Sequence, residues 1–439
     1  MKITKKTLKN KAGVVKHSFS GRNLTLYSGL NTVAKYLNKQ GIITSINKCF
    51  PTRMHNATKF GINQILLSVI LASISGINRI SKIAMFTNDG LVCAILKLEK
   101  GINENTISAG LKNMGQSGAR LLQSQLLSKN SRWLSESSLE SITLDADSTV
   151  KSVSGNQEGA AKGFNTTKKG AKSYHPLLIF VSEMKLLYHT WFRTGSAYTS
   201  NGICEFLKEV ESSLPKKIEH VFFRADSGFF SGELLDLLEY FKWDYLIKVK
   251  LKNLVNLLEK QNWILIDKNN NVAICEFEYK AASWKKPRML KAIRTVKEYV
   301  EKDFLGVKQI IPVYQYACYV SSYVELDAAE LHKDYKQRST SETWIEQVKG
   351  QAMAGATLTN DFWANDIMWQ LSVFAYNISV MMRRKNKKFM RQEHRTFTDW
   401  FIKLPAKITR SGHKSEIKMY EHHFYKNDWI ELDRIVSVA

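Results

Sequence analysis

Tyr335, Arg338, Glu342 and Lys349 stand at offsets 0, 3, 7 and 14 within Y-K-Q-R-S-T-S-E-T-W-I-E-Q-V-K, residues 335–349. On a helix of 3.6 residues per turn these positions fall within about 60° of one another. An aromatic hydroxyl, two cations and one carboxylate then project along a single stripe. Trp344 and Val348 face the other way and would anchor the helix to a core. An ordinary surface helix does the reverse, gathering its apolar residues in one stripe and scattering its polar ones. A polar stripe of this composition suits an anionic, phosphate-bearing ligand, with one carboxylate left to hold a metal. Arginine forks a phosphate, lysine adds a point charge, and tyrosine stacks or donates a hydrogen bond.

Two further carboxylates come into play once strands are read. Two divalent ions about 4 Å apart can activate a water and stabilise the leaving oxygen of a phosphodiester. Holding them takes a few carboxylates from different elements, because Mg²⁺ prefers oxygen ligands and keeps positions open for water and substrate. Asp147 and Asp226 each end a predicted strand, and Glu342 lies on the polar helix, so the three make such a set. Asp145 shares the strand face of Asp147 and is the other candidate for the first position.

Composition agrees with an anionic partner. The 439 residues carry 64 Lys and Arg against 40 Asp and Glu, a net charge of +24. An excess of that size over a long folded chain points to nucleic acid. Length favours two or three domains. Five scattered cysteines without a C-x-x-C pair fit a reducing cytosol and argue against zinc or dithiol chemistry. His422-His423 lacks partners at zinc-binding spacing. The basic start is not followed by a continuous apolar run, so no signal peptide is expected. The uncharged stretch between Lys59 and Arg79 is diluted by Asn63, Gln64 and three serines, and reads as a buried helix rather than a membrane span.

The elements that would position these groups follow in order. Residues 1–135 read as a basic helical domain, with segments near 29–39, 59–75, 78–86, 90–98 and 104–127. The pieces 91–98 and 107–114 fit either a helix-turn-helix or a plain helical hairpin, with Asn105 or Thr106 as cap. Ile142, Leu144 and Ala146 alternate with Thr143, Asp145 and Asp147 to give a strand. A loop over 151–173 carries Lys162, Lys168, Lys169 and Lys172, suited to a DNA backbone or to solvent. A hairpin around 183–185, a helix over 199–213, a strand ending on Asp226, a helix over 230–241 and a strand over 245–250 follow. This order predicts an α/β, ribonuclease-H-like catalytic core split into 136–250 and 329–385, preceded by the α-helical N-terminal domain. Residues 251–328 form a mainly β insertion, with strand pieces at 263–267, 272–279, 290–296 and 310–321. A long apolar helix near 364–382 precedes the cationic run 383–388. Residues 386–439 make a basic C-terminal segment, assigned to dimerisation.

The spacing Y-x2-R-x3-E-x6-K resembles the signature of the DDE transposases of bacterial cut-and-paste insertion sequences. L-D-A-D-S-T (144–149), Q-E-G-A (157–160), S-Y-H-P-L-L (173–178) and R-A-D-S-G-F-F (224–230) resemble motifs of one branch of that group. The resemblance spans roughly residues 70–385. It implies that Asp147, Asp226 and Glu342 are the catalytic, metal-binding triad, with Asp147 preferred over Asp145 because D-S-T is similar to the family's D-x-T. It implies two Mg²⁺ ions, with Mn²⁺ able to substitute. Tyr335, Arg338 and Lys349 would bind DNA phosphates near the element's end. The implied partners are double-stranded DNA, as terminal inverted repeats and target, and a second copy in a synaptic dimer, in a bacterial cytoplasm near the nucleoid. The implied reaction cuts one strand, forms and opens a DNA hairpin, and joins the freed 3′-hydroxyl to target. An aromatic of the β insertion, with Trp284 as one candidate, would support a flipped base; a core position is the other reading of Trp284. A domesticated nuclease or a DNA-binding regulator is the alternative.

Overall fold

The structure, a computed structural model, describes residues 18–50, 60–77, 79–163, 165, 168–304, 307–356, 359–412 and 414–438. The basic opening run 2–11 lies outside the described residues.

Six helices come first: α1 (Leu30–Lys39), α2 (Ile42–Cys49), α3 (Ile62–Ile74), α4 (Ile80–Phe86), α5 (Gly90–Leu96) and α6 (Glu104–Ser135). Apolar on nearly every side, α3 is buried from Ile65 to Ile74, as expected of a core helix. Among the described residues no helix is long and apolar enough to cross a membrane. α6 approaches α3 so closely that a Cβ on Gly110 would stand 2.5 Å from Ile65 Cδ1. Asn103, not Asn105 or Thr106, caps α6, accepting from the Asn105 backbone N–H at 2.9 Å. α6 is broken by a kink at Gly115, where φ is 54°, and its first part buries Ile107, Leu111 and Met114. The second helix of the pair α5–α6 buries these residues on one side and leaves Asn105, Ala109, Lys112 and Asn113 exposed on the other.

The next elements are β1 (Ser141–Ser148), β2 (Leu177–Val181), β3 (Leu186–Trp191), α7 (Ile203–Ser213), β4 (His220–Ala225), α8 (Gly232–Phe241) and β5 (Asp244–Lys248). β1 pairs antiparallel with β2 and parallel with β4, β4 runs parallel to β5, and β3 flanks β2. Counted alone, these five lie in the order 3-2-1-4-5. The free edge of β3 is covered by a side chain. Asn377 donates to the Leu187 carbonyl at 2.8 Å and accepts from the Leu187 N–H at 3.1 Å, occupying groups that would otherwise offer a pairing edge.

The insertion contributes β6 (Ile264–Asp267), β7 (Val272–Tyr279), β8 (Arg288–Phe304) and β9 (Val307–Ser321). It is mainly β, as expected, but it continues the core sheet rather than standing apart. Tyr319, Val320 and Ser321 of β9 pair with Lys248, Ile247 and Leu246 of β5. The result is one mixed nine-stranded sheet, β6-β7-β8-β9-β5-β4-β1-β2-β3. α9 (Ala328–Gln337), α10 (Ser339–Glu346) and the long α11 (Phe362–Arg383) follow. α11 is buried along almost all its length and packs on α3 and α6. Trp369 donates to Thr190 Oγ1 on β3 at 2.9 Å.

The C-terminal residues return to the start of the chain. A hairpin of Ala406–Ser411 and Lys414–Met419 forms a small sheet with Leu24–Thr25. Lys35 on α1 pairs with Asp433 of the last helix at 3.0 Å. The N-terminal helices, the sheet and the C-terminal helices share one hydrophobic cluster, from Leu30 through Ala146 and Leu371 to Val436.

Candidate active site

The polar helix of the sequence is built as two pieces. α9 starts at a capping box in which Asp327 accepts from Ala329 and Glu330 N–H groups while Glu330 accepts from Asp327 N–H. It ends at Gln337, Arg338 bridges with helical backbone angles, and α10 begins at Ser339. Three successive hydroxyls explain the interruption. Ser339, Thr340 and Ser341 donate to the carbonyls of Lys336, Gln337 and Arg338 at 2.7–2.8 Å. Side chains that bond back to the preceding turn compete with the helical ladder. After Glu346 the helix widens into a π turn over Gln347–Gln351. The expected single stripe is therefore divided, and Lys349 sits in the widened turn. Its anchors are as expected: Trp344 and Val348 are buried with Phe180, Trp369 and Tyr376. Burial of a large apolar side chain contributes about 1.5–3 kcal/mol.

Parallel pairing of β1 with β4 sets the two aspartates side by side. The register ends Asp145↔Arg224 and Ala146↔Ala225, so the next residues out are Asp147 and Asp226. Asp226 Oδ1 accepts from Gly228 N–H at 2.8 Å and caps the short turn Ser227–Phe229. Burial pushes the Asp147 carboxyl up to about 6; Arg338 pulls it down, while Asp226 and Glu342 push it further up. Asp147 therefore feels both other carboxylates of the set. Glu342 is exposed, giving the cluster an open side.

Arg338 is turned inward. Its Nη2 lies 2.9 Å from Asp147 Oδ2 and donates to the Ala146 carbonyl at 3.2 Å; its buried Nε has no hydrogen-bond partner among the described residues. Tyr335 packs against Tyr319 with ring centroids 5.1 Å apart and planes tilted by 47°, and its hydroxyl is held above the ordinary tyrosine range by burial, with Asp226 and Asp147 adding to the rise. Lys349 Nζ donates to the Val150 carbonyl at 3.0 Å, beside the exit of β1, and burial lowers its pKa. So Tyr335 and Arg338 join the carboxylates, whereas Lys349 flanks them. In this state Arg338 faces a carboxylate rather than solvent.

Asp145, the other candidate for the first position, has a different occupation. It is fully buried and forms two bonds to Arg224, at 2.8 and 2.9 Å, and accepts from the Ser182 hydroxyl. Arg224 also donates to the Asp334 carbonyl at 3.1 Å. This ion pair clamps β1, β4 and α9 together and so positions the site.

His175 is a neighbour that the residue-by-residue reading passed over, although it lies inside S-Y-H-P-L-L. Its Nε2 lies 3.1 Å from Ser148 Oγ, and Ser148 donates to Thr199 at 3.3 Å. Burial lowers its pKa, so the ring is neutral near pH 7. Trp284 is a core residue, packed on Phe230 and Tyr279. The expected loop over 151–173 contains a small sheet of Lys151–Ser152, Ala161–Lys162 and Lys172–Tyr174, with Lys162 exposed on one strand and Lys168 and Lys169 exposed between two of them. Arg384, Lys385, Lys387 and Lys388 are exposed after α11, while Arg383 is buried.

A donor set of three carboxylates on β1, the end of β4 and α10 has the chemistry of a hard divalent-cation site. Among the described residues no three acidic, imidazole or thiol side chains already stand around one point as metal ligands. The Asp147 carboxyl is raised chiefly by burial and further by Asp226 and Glu342, a rise that a bound cation would oppose as Arg338 already does.

Two aspartates at the ends of adjacent parallel strands and a glutamate on a nearby helix, with cations and a tyrosine beside them, have the chemistry that phosphoryl transfer on an anionic polymer would need. Residues 7–436 match the family model described as Transposase DDE domain group 1, and the chain belongs to that family. It is a DDE transposase, a DNA-cleaving enzyme of a family that works with divalent metal ions. No curated protein matches it. Among solved structures it is similar to a piggyBac transposase synaptic complex with hairpin DNA, determined by cryo-EM. The TM-score is 0.49 at 12% identity, over 87% of this chain and 81% of that one.

Proposed function

We propose that this chain is the transposase of a bacterial insertion sequence, with Asp147, Asp226 and Glu342 as its catalytic carboxylates in a ribonuclease-H-like core. The observation that carries the reading is the convergence on Asp147 of Asp226, from the end of β4, and Glu342, from α10, both of which act on its carboxyl. The strand order 3-2-1-4-5, with β1 and β4 parallel, supports the core assignment. The three carboxylates would hold Mg²⁺, with Mn²⁺ as a substitute. Bound there, such ions activate the attacking oxygen and neutralise the leaving one.

The chain's own groups orient the DNA. Arg338 has a spare Nε donor and, released from Asp147, forks a phosphate beside the scissile bond. Tyr335 contributes a hydroxyl next to Asp226, and Lys349 a charge along the strand that leaves β1. The exposed lysines at 162, 168 and 169 extend a path for the backbone. The reaction begins with water cutting one strand at the element's end. The 3′-hydroxyl released attacks the opposite strand to give a hairpin, the hairpin is opened by a second water, and the freed 3′-hydroxyl attacks target DNA. No covalent protein intermediate is needed. The helical residues 1–135 would bind the element's ends, and two copies would hold two ends together.

The test is incubation of the purified protein with end-labelled DNA carrying the sequences that flank its gene, in Mg²⁺, Mn²⁺ or EDTA, for wild type and Glu342→Gln. Metal-dependent nicks and a hairpin product, lost in the variant, are expected. Equal binding by both proteins with no cut in any metal would overturn the reading and leave a DNA-binding regulator.

A further inference from the structure

The hairpin β8–β9 is longer than the sheet that carries it. β7 pairs with β8 only as far as Arg294, and β5 pairs with β9 only from Tyr319 onward. Between these limits the two strands pair with each other alone, over Glu298↔Val313 to Phe304↔Val307, beyond a bulge at Lys297. A two-stranded ribbon standing clear of its sheet is marginal by itself and leaves rows of unpaired backbone groups on both edges.

Its composition separates it from the rest of the chain. Lys297, Lys302 and Lys308 are balanced by Glu298, Glu301 and Asp303, so the ribbon is neutral on a chain of net charge +24. A DNA-tracking arm needs cations in excess. Tyr299 is 62% and Ile310 71% exposed, a composition suited to protein contact. The two edges also differ. Pro312 removes a backbone donor from the middle of β9, whereas β8 has no proline from 295 to 304.

The edge of β8 is complementary to itself. With two copies antiparallel about a two-fold axis at Val300, Glu298 faces Lys302 of the other copy, Tyr299 faces Glu301, and Val300 faces its own counterpart. Lys297, at the bulge, comes beside Asp303. In this register each charged residue of 297–303 except Glu301 meets its opposite, and Glu301 meets a hydroxyl. An interface that a two-fold axis generates must be self-complementary in this way.

We propose that the β8 edge pairs with the same edge of a second copy, joining the two sheets through an antiparallel ladder centred on Val300. The geometry stands independently of the catalytic assignment; it deepens only the expectation of a dimer, and places one contact in the insertion rather than in residues 386–439. A ladder of about seven residues spans only ~24 Å. It therefore supplements other contacts made when two chains are brought together on DNA.

The test is disulfide trapping in the full-length protein under mild oxidation, free and bound to DNA. Neighbouring residues across an antiparallel ladder have Cα atoms about 4.5–5.5 Å apart, within disulfide reach. Val300→Cys should give a covalent dimer at least about fivefold above wild type, and Lys308→Cys, on the other strand, should not. Glu298→Lys added to Val300→Cys should lower the yield, and Lys302→Glu added to both should restore it. Trapping no greater than wild type with and without DNA, or a double charge swap no better than the single one, would overturn the proposal. Because the readout is a covalent dimer, loss of cleavage activity has no bearing on it.

Discussion

Arg338 and Asp147 form a largely buried ion pair: Nη2 of the arginine lies 2.9 Å from Oδ2 of the aspartate, with 7% and 13% of their side chains exposed. The cation between α9 and α10 thus partly offsets the burial of a carboxylate that, with the pair in place, still stands at about 6. Removing the arginine leaves a buried charge without a partner, a change that costs about 3–5 kcal/mol. Arg338→Ala should therefore destabilise the protein strongly at pH 8. The loss should shrink below pH 6, where Asp147 is protonated and needs no partner. Urea unfolding at pH 8 and pH 5 measures this; an equal loss at both would mean that the pair is not what holds Arg338.

The two aspartates of L-D-A-D-S-T should separate by phenotype. Asp145 is bonded twice to Arg224, so Asp145→Asn should unfold at a clearly lower temperature, by about 3 kcal/mol or more of stability. Asp147→Asn should abolish cleavage with a smaller change in unfolding temperature. Thermal melts and cleavage on the same preparations decide it, and a stable, inactive Asp145→Asn would reverse the assignment.

Lys349 flanks the carboxylates and donates to the Val150 carbonyl. If it meets one phosphate, Lys349→Ala should weaken DNA binding and make the slope of log K against log[salt] shallower by about 1. An unchanged slope would assign the lysine to holding the π turn alone.

His394 donates its backbone N–H to Gln347 Oε1 and so supports that same turn. Its ring is fully buried. Burial lowers its pKa to about 3, and the Arg383 and Lys403 charges add to the fall. The unfolded chain, with an ordinary histidine pKa near 6.5, takes up the proton first. This contribution to stability is therefore complete above about pH 6.5 and is lost as pH falls towards 3, by up to about 1.4 kcal/mol per pH unit. His394→Leu should flatten the acid limb of a stability–pH curve. Parallel curves for the two proteins would refute this.

Local pattern carried much of this architecture. The alternation of 141–148 and the strand ending at Ala225 were readable because each strand buries its own apolar residues. Trp344 and Val348 were readable as anchors for the same reason. What could not be read depends on partners far away in the chain. The Asp145–Arg224 pair exists only because β1 and β4 align in register, and the joining of the insertion to the core rests on Tyr319 meeting Lys248. The division of the polar helix at Arg338 had a local signal in R-S-T-S, whose hydroxyls return to the preceding carbonyls, but ideal helical spacing passes over it. The inward turn of Arg338 had none, since spacing places a side chain on a face without choosing its partner.

The central claim is that Glu342 ligates a divalent ion beside the two aspartates. Substituting sulfur for oxygen tests it directly, because a thiolate binds Mg²⁺ poorly and softer metals better. Glu342→Cys should fail to cleave end-labelled DNA in Mg²⁺ and regain measurable cleavage in Mn²⁺, whereas Glu342→Ala stays inactive in both. Cleavage by Glu342→Cys in Mg²⁺ at the wild-type rate would contradict the assignment.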